Sequence, residues 1–264
     1  MNNLDIQYQE LLKDILDNGI EKSDRTGTGI KSVFGKQIRH DMSKGFPLLT
    51  TKKMAIKSIM TELKWFLQGR TDIQYLRDNG CKIWDGDYEK SGRTDGELGP
   101  IYGKQWRDVN GIDQLENLIV GLINNPDGRR HIVNSWNVEE LNKMVLPPCH
   151  YSFQCYVNDG KLSLMWQQRS VDVFLGLPFN ISSYGLLLSL IADEVNMVPD
   201  QLVGSLGDTH IYNNHIEQVK EQLRNEPYEL PTIHLRDVEV LNGEFKCRLN
   251  NYISHPSIKA PLSN

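Results

Sequence analysis

Cysteine is scarce in this chain: four in 264 residues, widely spaced and with no CxxC pair, which leaves neither a zinc ligand set nor a disulfide framework. Cys81, Cys149, Cys155 and Cys247 instead fit a reducing compartment, so a cytoplasmic location is expected. No run of about 18 apolar residues occurs, which excludes a helical membrane span. The opening Met1-Asn2-Asn3-Leu4-Asp5 lacks the basic and apolar regions of a signal peptide. Positive charge is not in excess either, with 29 Lys and Arg against 34 Asp and Glu. A net charge of −5 offers no electrostatic ground for a nucleic-acid partner. Internal repeats, low-complexity stretches and long Pro/Gly/Ser linkers are also missing, so residues 1–264 are read as one domain. At 39% hydrophobic the chain has enough apolar side chains for a sizeable core.

Periodicity then supplies the elements. Ile6, Leu11, Leu12, Ile15 and Leu16 share one face of a helix over 5–18, which Asn18-Gly19 stops. A second helix over 54–68 ends at Gly69, and others are expected at 113–124, 181–196 and 212–224. The segment 183–192 is apolar nearly all round and predicts a buried central helix. Strands are expected at 131–136, 149–158, 161–170, 201–206, 232–240 and 245–252. Without a regular βαβ rhythm, this mixture points to an α+β architecture in layers.

Asp159-Gly160 between two β-rich runs is the strongest short hairpin signal. A two-residue loop pairs Asn158 with Lys161 and, continued, sets Cys149 opposite Ser170 and His150 opposite Arg169. A bulge would slip this register by one and leave the neighbourhood intact. A guanidinium beside a thiol favours the thiolate, the nucleophilic form. Most cytosolic cysteines are small buried hydrophobes, and Cys81, Cys155 and Cys247 fit that description. Cys149 differs: Pro147-Pro148 before it blocks ladder pairing and places it at a sheet margin.

Other arginines gather in two places. Arg129-Arg130 follows the turn Asn125-Pro126-Asp127-Gly128, where such a pair is either a solvated rim or a bidentate phosphate clamp. Arg25 lies in Asp24-Arg25-Thr26-Gly27-Thr28-Gly29, whose spacing is not that of a P-loop. Scattered arginine sites in an acidic chain suggest a phosphate monoester as ligand.

Several segments in order resemble the thymidylate synthase family, over nearly the whole chain. They are the loop 24–29, Phe46-Pro47-Leu48-Leu49-Thr50-Thr51-Lys52-Lys53, Glu62 in Glu-Leu-Lys-Trp-Phe-Leu-Gln-Gly, and Leu98–Arg107. Arg129-Arg130, Leu146-Pro147-Pro148-Cys149-His150, the run Gln168–Asn180 and Gly207–Tyr212 complete the set. The resemblance implies a homodimer with mixed sheets packed back to back and helices outside. It implies that Cys149, Glu62, Tyr102, Asn180, Asp172 and Arg169 carry the chemistry. Arg25, Arg169, Ser170 and the partner's Arg129 and Arg130 would bind the phosphate of dUMP. Gln168 and Asn180 would hold the base, with His210 and Tyr212 on the sugar 3′-hydroxyl. Lys52, Ile83, Trp84, Leu146, Asp172, Leu175, Gly176, Phe179 and Asn264 would line the site of 5,10-methylenetetrahydrofolate, the co-substrate. No metal, membrane or nucleic acid is implied.

Two choices stay open within that family. Asn180 offers both a donor and an acceptor, suiting N3–H and O4 of uracil, whereas related dCMP hydroxymethylases carry an aspartate there. The family's chain usually ends in a small apolar pair that seals the folate site. This one ends Leu262-Ser263-Asn264, and Asp87 stands where a second tryptophan is common. Both features leave room for water to replace hydride, giving a hydroxymethyl product as in the deoxyuridylate hydroxymethylases of some bacteriophages; a phage origin would place the protein in a host cytoplasm. A binding-only relative is disfavoured by the intact Cys149, Asn180, Asp172 and Tyr102. A papain-like hydrolase is disfavoured by the lack of that family's local signature.

Overall fold

The computed structural model describes residues 2–263. Helix α1 (Asn3–Asn18) leads into the short β1 (Ile20–Lys22) and the long β2 (Ile30–Asp41). Four helices follow: α2 (Ile56–Leu67), α3 (Ile73–Asp78), α4 (Asp85–Ser91) and α5 (Gly103–Arg107). Then come α6 (Gln114–Asn124), β3 (Ile132–Asn134), β4 (His150–Asn158), β5 (Lys161–Asp172), α7 (Gly176–Glu194) and β6 (Val198–Tyr212). The chain closes with α8 (Ile216–Gln222), β7 (Thr232–Glu239) and β8 (Glu244–Asn250). A six-stranded sheet in the order β1-β2-β6-β5-β4-β3 forms the centre, and β7 and β8 pair separately. The large sheet is mixed: β5 and β6 run parallel, and its other neighbours are antiparallel. This is the expected α+β layering.

The Asp159-Gly160 hairpin forms with Asn158 opposite Lys161, both loop residues in the left-handed region at φ 50° and 69°. Farther along, the straight register fails. A bulge between His150 and Ser152 sets His150 opposite Gln168. The Arg169 amide then donates to the Cys149 carbonyl at 2.8 Å, so Cys149 faces Arg169 and not Ser170. The extra residue is Tyr151, and the slip tightens the pairing that matters.

Two helices start elsewhere than periodicity suggests. α7 begins at Gly176 and not near 181, and the turn that leads into it is held by the Asp172 Oδ1, which accepts from the Phe174 and Leu175 amides. Asn180 therefore lies inside the helix. Residue 212 ends β6, so the expected helix over 212–224 reduces to α8 after a short 3-10 turn. The pattern assigns no element to 30–41, where the structure forms the twelve-residue β2. Its buried positions include Ser32 and His40, and Gly35 sits mid-strand at φ 74°, so hydrophobic alternation is hidden.

The core is one contiguous cluster centred on α7, whose Leu186, Leu187, Leu188, Leu190 and Ile191 are fully enclosed. α7 packs on β5 and β6. Along β3 and β4 alternate residues such as Val133, Phe153 and Cys155 point into that core. The intervening Ile132 and Tyr156, with Phe34 of β2 at 84% exposure, stay outside it. One face of the sheet thus carries uncovered apolar side chains.

Candidate active site

Cys149 sits at the foot of β4, directly after two prolines. The Arg169 guanidinium reaches back along the same stretch: Nε donates to the Pro148 carbonyl and Nη2 to that of Pro147, each at 2.9 Å. Its carbon lies 5.2 Å from the ring centre of Trp136, which supports it from the far side. Burial pushes the Cys149 thiol up, while the Arg169 and Arg25 guanidinium groups pull it down and Asp87 and Asp172 push it up. In the single chain burial therefore works against the thiolate. The expected guanidinium effect is present, but burial outweighs it.

Tyr102 is fixed under Cys149. Its hydroxyl accepts from the Cys149 amide at 2.8 Å, and its ring stacks on His150 at 4.2 Å. Its backbone holds φ 29° and ψ −92°, a conformation costing roughly 1–3 kcal/mol for a residue with a side chain. Next to it, a Cβ on Gly103 would fall 2.3 Å from the Phe66 carbonyl oxygen, so α2 and α5 press together there. Burial drives the Tyr102 phenol well above its usual range.

His150 is not a base for Cys149. It is buried, its Nδ1 lies 2.9 Å from the Tyr184 hydroxyl, and burial pushes its pKa down to about 3. A neutral, enclosed imidazole of this kind gives no support to a papain-like reading.

Glu62, on α2, accepts from the Trp84 indole at 2.8 Å, and its burial lifts the carboxyl to about 7. Lys52 lies 3.7 Å over the Phe174 ring and donates to the Phe174 carbonyl; burial lowers its ammonium to about 7 against the pull of Asp172. Two groups that are ordinarily fully charged thus sit near the midpoint of their titration at physiological pH, a common property of reactive sites.

The strand ends bring the remaining groups together. Parallel register sets Ser170 beside Asp208 and Asp172 beside His210, with Tyr212 two residues beyond. Gln168 Nε2 donates to Asn180 Oδ1 at 3.1 Å, joining β5 to the first turns of α7. The loop holding Arg25 is folded by Asp24, which accepts from the Thr26 and Gly29 amides at 2.7 Å, and it leads into Ile30 opposite Tyr212. Arg25, Asp172 and Cys149 all influence the Tyr212 hydroxyl, which burial pushes up to about 12. Ile83, Leu146, Leu175 and Phe179 are partly buried against the core beside them, and Gly176 opens α7.

Two expectations fall outside this cluster. Arg129 and Arg130 are exposed and precede β3, whose Ile132 pairs with Gln154. That is about 20 Å from Cys149 at strand rise, so the chain's own site does not contain them. Asn264 lies outside the described residues. Three neighbours were not expected from the sequence. Tyr184 partners His150, and its hydroxyl inside an apolar helix was the available signal. Trp136 backs Arg169, with no signal at all. His215 is fully buried, its Nε2 2.7 Å from the Pro261 carbonyl and its Nδ1 orphaned 4.0 Å from Asp172. No helix among the described residues is long and apolar enough to cross a membrane.

Comparison with known families matches the chain to thymidylate synthase over residues 6–264. The match spans nearly the whole chain and takes in every group just described. Members of that family are methyltransferases that bind dUMP and use methylenetetrahydrofolate as co-substrate. With its cysteine, arginine and amide joined across β4, β5 and α7, and with that match running almost end to end, the chain belongs to the thymidylate synthase family.

Proposed function

We propose that the protein methylates dUMP at carbon 5 to give dTMP, as a single catalytic domain acting in a homodimer. One observation carries the reading: Cys149 is bonded to Arg169, and the adjacent Gln168 to Asn180. Nucleophile, phosphate ligand and base-reading amide are therefore linked by hydrogen bonds across one scaffold.

The Cys149 thiol gives up its proton to water, its sulfur adds to carbon 6 of the uracil ring, and the displaced electron pair runs to O4. The Asn180 amide donates to O4 and so meets the charge as it develops. Carbon 5 becomes nucleophilic and accepts the one-carbon unit. The folate co-substrate supplies that unit and, for methyl transfer, the hydride. Glu62 and the Tyr102 hydroxyl manage water and the leaving C5 proton. The Cys149–C6 bond then breaks and the thiolate is regenerated. Arg25, Arg169 and Ser170 take the phosphate, and His210 and Tyr212 the sugar.

The folate fits the residues present. Asp172 uses Oδ1 for the Phe174 and Leu175 amides just ahead of α7, so Oδ2 stays available for a pterin, and the orphaned His215 Nδ1 lies nearby. Trp84, Leu146, Leu175 and Phe179 form an apolar wall, with Lys52 beside Phe174.

The uncovered Phe34, Ile132 and Tyr156 on one sheet face support pairing with a second copy. In that dimer Arg129 and Arg130 complete the partner's phosphate site. Mixing an R129A/R130A variant with a C149S variant, each nearly inactive alone, is expected to restore about a quarter of wild-type activity by subunit exchange. Mixtures that stay inactive after exchange would place the arginines elsewhere.

A second reading, dUMP hydroxymethylation, is favoured by Asp87. This half-buried carboxylate feels the pull of Arg25 and itself pushes up the Cys149 thiol, and is suited to a site that admits water. Incubation with dUMP and methylenetetrahydrofolate decides between them. Methylated nucleotide with dihydrofolate is expected. Hydroxymethylated nucleotide with tetrahydrofolate would establish the second reading, and neither product would overturn both.

A further inference from the structure

Trp166, in the middle of β5, is fully buried and stacked on Tyr184 at 5.3 Å with the rings 5° from parallel. Room for it is made across the sheet by its parallel partner Gly204, where a Cβ would fall 2.4 Å from Trp166 Cζ2. Its indole N–H donates to Gln168 Oε1 at 3.1 Å. Gln168 Nε2 in turn donates to the Ser170 carbonyl and to Asn180 Oδ1, each at 3.1 Å.

The direction of this chain is fixed by its ends. An indole only donates and a peptide carbonyl only accepts. If the Asn180 amide turned over, its nitrogen would face the nitrogen of Gln168. Turning Gln168 as well would bring its nitrogen against the Trp166 N–H and its oxygen against the Ser170 carbonyl. Each reversal puts like groups together in a buried site, where an unmade hydrogen bond is costly.

The two orientations of Asn180 read different bases. With Oδ1 held toward Gln168, its second lone pair accepts N3–H of uracil and Nδ2 donates to O4. The reversed amide would suit the acceptor N3 and amino group of cytosine. We propose that Trp166 is a positioning residue for base selection, its indole N–H holding the Gln168 amide and thereby setting Asn180 to read uracil and not cytosine. This deepens the proposed action on dUMP and rests on it.

Trp166→Phe removes the donor but also leaves space beside Gly204. Replacing Trp166 with β-(3-benzothienyl)alanine by codon suppression keeps the bicyclic shape and puts sulfur where the N–H stood. The readout is tritium lost from [5-³H]dUMP and [5-³H]dCMP in the presence of methylenetetrahydrofolate. This step is common to methyl and hydroxymethyl endings. In both variants the ratio of kcat/KM for dUMP over dCMP is expected to fall about tenfold, the scale of one buried amide left without its partner. The benzothienyl variant should keep the thermal midpoint of the wild type. Gly204→Ala, which drives a Cβ into the indole, should lower the ratio in the same direction. An unchanged ratio in the benzothienyl variant, with the wild type active on dUMP, overturns the role of Trp166 and leaves the proposed function standing. A wild type that labilises no tritium from dUMP sinks both.

Discussion

Exchange of Cys149 for serine is expected to lower tritium release from [5-³H]dUMP on the order of ten-thousand-fold or more, with little change in stability. A hydroxyl ionises far less readily than a thiol, so the group that attacks carbon 6 in the proposed mechanism is all but lost. The surroundings are untouched by the change. The Cys149 amide still donates to Tyr102, and the carbonyl still accepts from Arg169, since both bonds use the backbone. Urea unfolding of the C149S variant should stay within about 1 kcal/mol of the wild type. Activity above a few per cent of wild type would mean that addition to the ring is not made by this sulfur. Activity lost together with stability would instead mark Cys149 as a packing residue.

Glu62→Gln has opposite effects on activity and stability. Burial raises the Glu62 carboxyl from 4.5 to about 7, so the folded chain keeps a proton that the unfolded chain releases between those values. Stability therefore falls as pH rises through 4.5 to 7, and the whole penalty, about 3 kcal/mol, is present above 7. Glutamine has no such titration and retains an oxygen for the Trp84 indole. E62Q should match the wild type near pH 4.5 and exceed it by about that amount at pH 8. Lys52 also titrates near 7, but it does so in both proteins and cancels in the difference. Turnover should fall about 10²–10⁴-fold, the usual contribution of a positioned acid or base. Parallel stability curves for the two proteins across pH 4.5–8 would refute the buried-acid account.

The sequence made the hairpin readable because Asp159 and Gly160 both occupy left-handed backbone that few other pairs tolerate. From that turn, counting alone brought Cys149 and Arg169 to one place. A one-residue bulge was foreseeable there, but nothing in the residue types marks its place at Tyr151. β2 was hidden for a different reason: its inward side chains include Ser32 and His40, which pack as core residues without reading as hydrophobic. The family motifs singled out Glu62 and Lys52, but their unusual ionisation depends on enclosure by α2, Trp84 and Phe174. Enclosure is a property of tertiary packing that spacing does not reveal. Trp166 and Gly204 lie 38 residues apart in the numbering, and only the parallel register shows that one needs the other.

That parallel register also constrains how the protein comes to exist. Parallel neighbours cannot be joined by a tight turn, so β5 and β6 meet only after α7 has been laid across them. Ser170 and Asp172 close one side of this crossover, Asn180 rides on it, and His210 and Tyr212 arrive with the returning strand. None of these groups reaches its neighbours through local folding. Cys149 and Arg169 are joined by a local hairpin, but the groups around them come together only when the crossover is closed. A nascent chain lacking β6 therefore carries a cysteine and no enzyme.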